Sequence, residues 1–418
     1  MKERKPDMRF KGYEDSWIEK PFGEVFDTLS NNTLSRDKLN YDAGSIMDVH
    51  YGDILIKFGE ILDTEKEGLP FITNDADAEK YQAAFLRDGD IVVADTAEDE
   101  TVGKCTEICN VGDKKILSGL HTIPYRSKDG FATGFLGYYL NSGKYHDKLL
   151  PLMQGVKVTS ISKSGLNETN VIYPKSKKEQ ALIGGFLFAL DEKINSESIV
   201  CEKIKILKKA MLGKMFPSDG SRIPEIRFSG FTEPWKQRKL LDISDIVTGT
   251  TPPTKDKDNY DGNRLFVSPA DIQGNRFIER TITTLTKKGH ALGRELRPGT
   301  SLFVSIGSTI GKVAQIEEFA TTNQQINAVI PYDKMEDDFV FTMLENEADK
   351  IKKMSAQQAV PIINKSTFGN IEVKYPKKEE QMKIGKYFKE LDHLITLHQQ
   401  KVGKLINIKS ACMRRLFV

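Results

Sequence analysis

Side chains that both donate and accept hydrogen bonds crowd the turns of this chain. Between residue 236 and about residue 365, Ser305, Ser308, Thr309, Thr321, Thr322, Asn323, Gln324, Gln325, Gln357 and Gln358 stand among Gly and Pro, with Lys255 and Lys312 nearby in sequence. Between residue 18 and about residue 165, Lys57, Lys104 and Arg126 supply positive charge. Such amides and hydroxyls can read base edges, and together with Lys and Arg they can hold phosphates. Ordinary polar loops have a similar composition, so composition alone leaves both readings open. His121, in Ser118-Gly119-Leu120-His121-Thr122, could face a ligand or serve a structural or capping role.

Patterns for covalent or proton-transfer chemistry are missing. A phosphate loop needs Gly-x4-Gly-Lys-Ser/Thr, but before Gly311-Lys312 the first Gly is replaced by Ile306, and Val313 follows the Lys. No Gly-x-Gly-x-x-Gly follows a candidate strand. Thr251-Pro252-Pro253-Thr254 lacks the Asn/Asp-Pro-Pro-Tyr/Phe order that amino-methylating enzymes use to hold a base. Asp191-Glu192-Lys193 and Glu372-Val373-Lys374 have nuclease-like composition, but such triplets are common where 29% of residues are charged. Cys105 and Cys109 have no second close Cys/His pair to complete a tetrahedral metal site. Neither a catalytic residue nor a metal site is expected.

The elements that would position these loops are present twice. Alternating steps of four and three give Ile183, Leu187, Leu190, Ile194, Glu197, Cys201, Ile204, Lys208, Met211 and Met215. The same walk 201 positions later gives Ile384, Phe388, Leu391, Ile395, His398, Val402, Leu405, Lys409, Cys412 and Leu416. Apolar residues at period 3.5 over nearly five heptads predict two long helices with a coiled-coil seam, each roughly 50 Å long. Both seams carry a polar residue at the fifth step and a Lys at the eighth, which would mark register.

A second repeat precedes each variable stretch. Pro6-Asp7-Met8-Arg9-Phe10-Lys11-Gly12 with Trp17 returns 218 positions later as Pro224-Glu225-Ile226-Arg227-Phe228-Ser229-Gly230 with Trp235. This reads as an aromatic clasp on a helix end. In the first variable stretch, Ile54-Leu55-Ile56 and Ile91-Val92-Val93 alternate with turns at Gly52-Asp53 and Gly89-Asp90, which predicts mainly strand. The run from Tyr138-Tyr139-Leu140 onward is a candidate helix. Faint echoes link the two stretches: Gly89-Asp90-Ile91 with Gly299-Thr300-Ser301, Gly103-Lys104 with Gly311-Lys312, and Gln154-Gly155-Val156 with Gln358-Ala359-Val360.

The expected domains are 1–165 (with the clasp 6–17), a helical spacer 166–222, 223–368 (with the clasp 224–235) and a helical spacer 369–418. The expected fold is α+β: two diverged mixed α/β domains and two long antiparallel helices forming a coiled coil, pseudo-two-fold symmetric. The N-terminal clasp should then meet the C-terminal end of the second helix. A net charge of +2 confines any basic surface to local patches. No apolar run reaches the roughly 18 residues of a membrane span, and Met1–Phe10 lacks a signal-peptide core, so a cytoplasmic protein is expected.

Taken together, the doubled clasps, the doubled Tyr-Pro-Lys…Glu-Gln…Ile-Gly…Leu-Asp helices and Gly249-Thr250-Thr251-Pro252 resemble the DNA specificity subunits of type I restriction–modification systems. Leu34–Tyr41, His50-Tyr51-Gly52-Asp53-Ile54 and Gly119–Arg126 resemble one class of their target-recognition domains. The resemblance implies a non-catalytic subunit whose two domains each read half of an asymmetric bipartite DNA site, with the helices setting the gap. It adds Arg36, Tyr41, Tyr51, Thr250 and Thr251 to the candidate DNA contacts, although Arg36 and Tyr41 could simply order a loop. It also implies two methyltransferase subunits as partners, restriction subunits in the full complex, and sites for S-adenosylmethionine, ATP and Mg on those partners. A duplicated coiled-coil scaffold that binds only protein is the competing reading.

Overall fold

The computed structural model of the chain describes residues 4–155, 157–354 and 361–418. The echo between Gln154-Gly155-Val156 and Gln358-Ala359-Val360 therefore falls partly outside the described residues, as do Gln357 and Gln358. The chain divides into two compact units, Met1–Ser196 with Val402–Val418, and Glu197–Lys401. Each long helix, α1 (Lys177–Met215) and α2 (Lys378–Leu416), thus gives one part to each unit.

The first unit holds a five-stranded sheet of β1 (Phe26–Thr28), β2 (Ile61–Asp63), β3 (Ile91–Ala94), β4 (Cys105–Cys109) and β5 (Thr122–Ser127). Its order is β1-β5-β3-β4-β2, antiparallel except for the parallel pair β4–β2. The second unit holds β6 (Ser244–Thr248), β7 (Phe277–Ile278), β8 (Ser301–Val304), β9 (Val313–Ile316) and β10 (Ile326–Pro331). Their order is β6-β10-β8-β9-β7, again antiparallel except for the last pair. Each unit also has a parallel pair in a second sheet, 46–49 with 115–118 and 265–267 with 320–322. The two variable regions share one topology although their sequences have drifted apart.

Two local readings change. Gly52-Asp53 is not a turn, and Ile54-Leu55-Ile56 is not a strand: both lie in a helix, Tyr51–Ile56. The His50 ring caps it by accepting from the Gly52 N–H at 3.2 Å, and this local bond outweighs the β-branched run. The candidate helix from Tyr138 onward is broken at Asn141-Ser142, with a second short helix following at Gly143–His146. The first spans Phe135–Leu140 and stops where the Asn141 side chain donates to Gly137 O at 2.7 Å.

Within each unit the helix parts pack on the recognition sheet. Ile183 and Leu187 are buried with Leu416 and Phe417 in the first unit, and Ile384, Phe388 and Leu391 with Met215 in the second. Leu190, Ile194, Ile204, Ile395 and Leu405, from the same seam, are half-buried. Each fully buried apolar side chain contributes about 1.5–3 kcal/mol. In the second unit Glu197 meets His398 (2.7 Å) and Lys401 (2.5 Å), while Lys208 meets Asp392, so the helix parts run antiparallel there. Gly184 and its repeat Gly385 let the domain backbone approach. An added Cβ would lie 3.0 Å from Phe135 N in one case and 2.7 Å from Phe339 N in the other.

The clasps fasten helix ends. Met8 N–H donates to Arg415 O, and its counterpart Ile226 N–H donates to Lys214 O, both at 2.9 Å. The N-terminal clasp therefore meets the C-terminal end of α2. Arg9 forks onto Glu179 (2.7 and 3.0 Å), and Arg227 onto Glu380 (2.7 Å twice). The two Glu stand 201 positions apart near their helix starts, where a carboxylate also favours the helix dipole. Among the described residues no helix is long and apolar enough to cross a membrane.

Candidate nucleic-acid interface

Strand order gathers three connections at one end of each five-stranded sheet. In the first unit these are Leu29–Asn32 after β1, Asp95–Lys104 between β3 and β4, and Gly119–His121 before β5. In the second they are Gly249–Thr251, Ser305–Lys312 and Asn323–Gln325. The backbone bonds correspond residue by residue. Asp95 N–H donates to His121 O (3.1 Å) as Ser305 N–H does to Gln325 O (2.8 Å). Gly103 N–H donates to Ala94 O as Gly311 N–H does to Val304 O, and both glycines are left-handed, at φ 86° and 91°.

In the first unit five candidate residues come together around the capped helix. Arg36 forks onto Asp53 (2.6 and 3.3 Å) and donates to the Tyr41 hydroxyl (2.9 Å). The Lys57 ammonium lies 5.7 Å from the Tyr41 ring centre and donates to Gly68 O. The Tyr51 ring meets His121 edge-on, with centroids 5.2 Å apart, and His50 packs behind Tyr51. Burial lowers the His50 pKa, and the neighbouring Arg36 charge acts in the same direction. Tyr41 and His121 are about half exposed, so aromatic and cationic groups share one surface.

In the second unit, Thr251 Oγ1 donates to Gln324 Oε1 at 2.6 Å, leaving the Gln324 amide exposed but oriented. Asn323 turns to Gln325 (3.0 Å). Beneath them a chain of hydrogen bonds ties together the ends of β6, β10 and β8: half-buried Thr248 Oγ1 donates to buried Asn327 Oδ1 (2.7 Å), and Asn327 Nδ2 to Ser305 Oγ (2.8 Å), just after β8. Ser308 and Lys255 are exposed, and Thr250 and Thr309 half-buried.

Four candidates are already occupied inside the fold. Ser305 is buried in the chain just described. Arg126 forks onto Asp90 (2.8 and 2.6 Å) and donates to Phe85 O. Lys104 and Lys312 occupy one topological position and donate to Leu55 O (3.1 Å) and Ile272 O (3.0 Å). Burial lowers the Lys104 pKa. Their charge anchors the segment before β2 or β7, so they are structural.

Sequence reading missed the groups that orient this surface, Asp53, Asp95 and Asn327 among them. One signal was available. Val49-x3-Asp53-Ile54 and Val267-x3-Asp271-Ile272 stand 218 apart, and Asp271 likewise holds its own loop, accepting from Ser268 Oγ (2.7 Å) and Ile282 N–H (2.7 Å).

Known proteins share this fold. The chain is 31% identical over 168 residues to the type I restriction enzyme MjaIX specificity subunit of Methanocaldococcus jannaschii, covering 38% of each chain. It is 28% identical over 176 residues to the HindI specificity subunit of Haemophilus influenzae, covering 41% of this chain and 38% of that one. These alignments thus span well under half of each relative. The solved type I restriction–modification S subunit from M. genitalium superposes with a TM-score of 0.67 at 16% identity, covering 99% of both chains, which establishes a common fold. Residues 14–205 and 232–406 match the family model of the type I restriction modification DNA specificity domain, so the chain belongs to that family and carries its domain twice.

Proposed function

We propose that each unit reads one half of an asymmetric, bipartite duplex DNA site through the connections at the end of its five-stranded sheet. The observation that carries this reading is the pairing of equal backbones with unequal side chains: His121 stands where the second unit has Gln325, and Asp95 where it has Ser305. Equal frames with different readers suit two different half-sites. The long helices, continuous through both units, set the gap between them. The subunit itself performs no chemistry. Two methyltransferase subunits dock on the helix surfaces and restriction subunits join the full complex, in the cytoplasm. S-adenosylmethionine, ATP and Mg belong to those partners. Exposed Ile199, Val200, Ile206 and Leu207 on α1 and Leu394 and Leu397 on α2 support a protein partner there, because long helices seldom leave so many apolar residues in water.

The test is to replace residues 236–365 with the matching domain of another family member and sequence the methylated sites. One half of the recognised sequence should change and the other persist. An unchanged sequence would favour a scaffold that binds only protein.

A further inference from the structure

Among the described residues three without a glycine's freedom have left-handed backbones: Asn110 (φ 58°), His121 (φ 54°) and Asp261 (φ 61°). Asn and Asp adopt this conformation most readily because a short side chain can bond locally, and Asn110 is held further by donating to Asp63 Oδ1 at 2.9 Å, across 47 positions of the chain. His121 has no such local excuse. Its ring is instead held from the side and from behind. Tyr51 packs edge-on against it, and Nδ1 lies 3.6 Å from Asp95 Oδ1 and 3.4 Å from Thr96 Oγ1. The Thr96 hydroxyl donates to Asp95 Oδ1 at 2.8 Å, so both neighbours present acceptors to Nδ1. The tautomer with its proton on Nδ1 satisfies both neighbours, and it leaves Nε2, which has no hydrogen bond in the structure, as a lone-pair acceptor on a half-exposed side chain. Backbone strain that the surroundings enforce is a mark of functional positions.

We propose that His121 Nε2 is a specificity determinant: it accepts a hydrogen bond from the exocyclic amino group of an adenine or cytosine in the half-site read by the first unit. This rests on the reading that the sheet-end connections face duplex DNA. An acceptor selects those bases because guanine and thymine present only acceptors at the corresponding major-groove positions. A phosphate is the poorer partner, since the connection that begins at Asp95 continues through exposed Glu98, Asp99 and Glu100. Asp95 is a positioning residue that fixes the tautomer.

The experiment uses the full chain in complex with its methyltransferase partner and a duplex pool with both half-sites randomised, followed by affinities for the enriched site with each base pair replaced. His121→Phe should lose about ten-fold or more of the preference at one position of one half-site and leave the other half-site intact. His121→Gly should lose the same preference while raising the midpoint of thermal unfolding, because glycine relieves the strain. Asp95→Asn can present its amide N–H to Nδ1, moving the ring proton to Nε2. The preference at that position should then shift toward guanine or thymine, a change that a merely structural role would not produce. If the wild type enriches no bipartite sequence, the DNA-reading function itself fails. If it enriches one and His121→Phe keeps every preference, or weakens all sequences equally, the assignment of His121 is overturned.

Discussion

Lys208 Nζ lies 2.6 Å from Asp392, and 201 positions away on each side of the repeat Lys409 Nζ lies 2.7 Å from Asp191. Each pair joins one long helix to the other within its own unit. Each Lys also takes a carboxylate from the recognition domain, Glu345 at 2.5 Å in the second unit and Glu60 at 2.8 Å in the first. The eighth step of the heptad seam is thus a socket where two helices and a domain meet on one ammonium. The two domains answer it differently. Arg276, buried against Asp392, Asp338 and Gln315, precedes β7 in the position that Glu60 holds before β2.

Lys208→Met removes a cation that is nearly buried and leaves Asp392 and Glu345 facing each other. The expected cost is about 3–5 kcal/mol, as for other broken buried ion pairs. Urea unfolding should show it as a lower midpoint. Lys208→Met with Glu345→Gln should recover part of the loss, since Glu345 is the carboxylate that loses its ammonium whereas Asp392 keeps Arg276 at 3.2 Å.

Asp48 and Glu107 give the first unit an acid-side preference. Burial pushes both carboxyls up to about 7, although Asp48 accepts from Asn32 Nδ2 (2.6 Å) and Glu107 from the N–H groups of Gly134 and Gly137. An acid whose folded pKa exceeds its unfolded value binds more protons when folded, so its contribution falls as pH rises through that interval. The stability they add is present at about pH 4 and lost by about pH 7. Asp48→Asn, which can still accept from Asn32, should gain stability relative to wild type across this window. Thermal unfolding of both proteins at matched pH values measures the difference, and parallel curves would refute it.

Lys255 and Arg126 should separate surface from scaffold. Lys255→Ala should weaken duplex binding by a similar factor for all sequences and lower the salt slope by about one. Arg126→Gln should leave the recognised sequence unchanged and instead lower the denaturation midpoint, because Asp90 loses its forked partner. Binding titrations over a range of salt concentrations, paired with unfolding curves, distinguish the two.

The sequence alone determined the plan of the molecule: two clasps, two seams and two diverged domains follow from offsets of 218 and 201 and from a 3.5-residue period. Those signals are legible because helix pairing repeats one side-chain environment every heptad. The Gly103-Lys104 and Gly311-Lys312 echo was equally legible, and it marks one backbone position in two sheets. Tertiary structure decided what the side chains do. Arg126, Lys104 and Lys312 read as free cations because a sequence shows charge without showing the carboxylate or carbonyl that meets it. Lys208 and Lys409 read as register marks, while their acidic partners lay up to 349 residues away. His121 could have been a cap or a reader. Only the fold brings Asp95, Thr96 and Tyr51 around its ring and bends its backbone to φ 54°, because orientation is set by contacts between distant segments and not by the residues beside it.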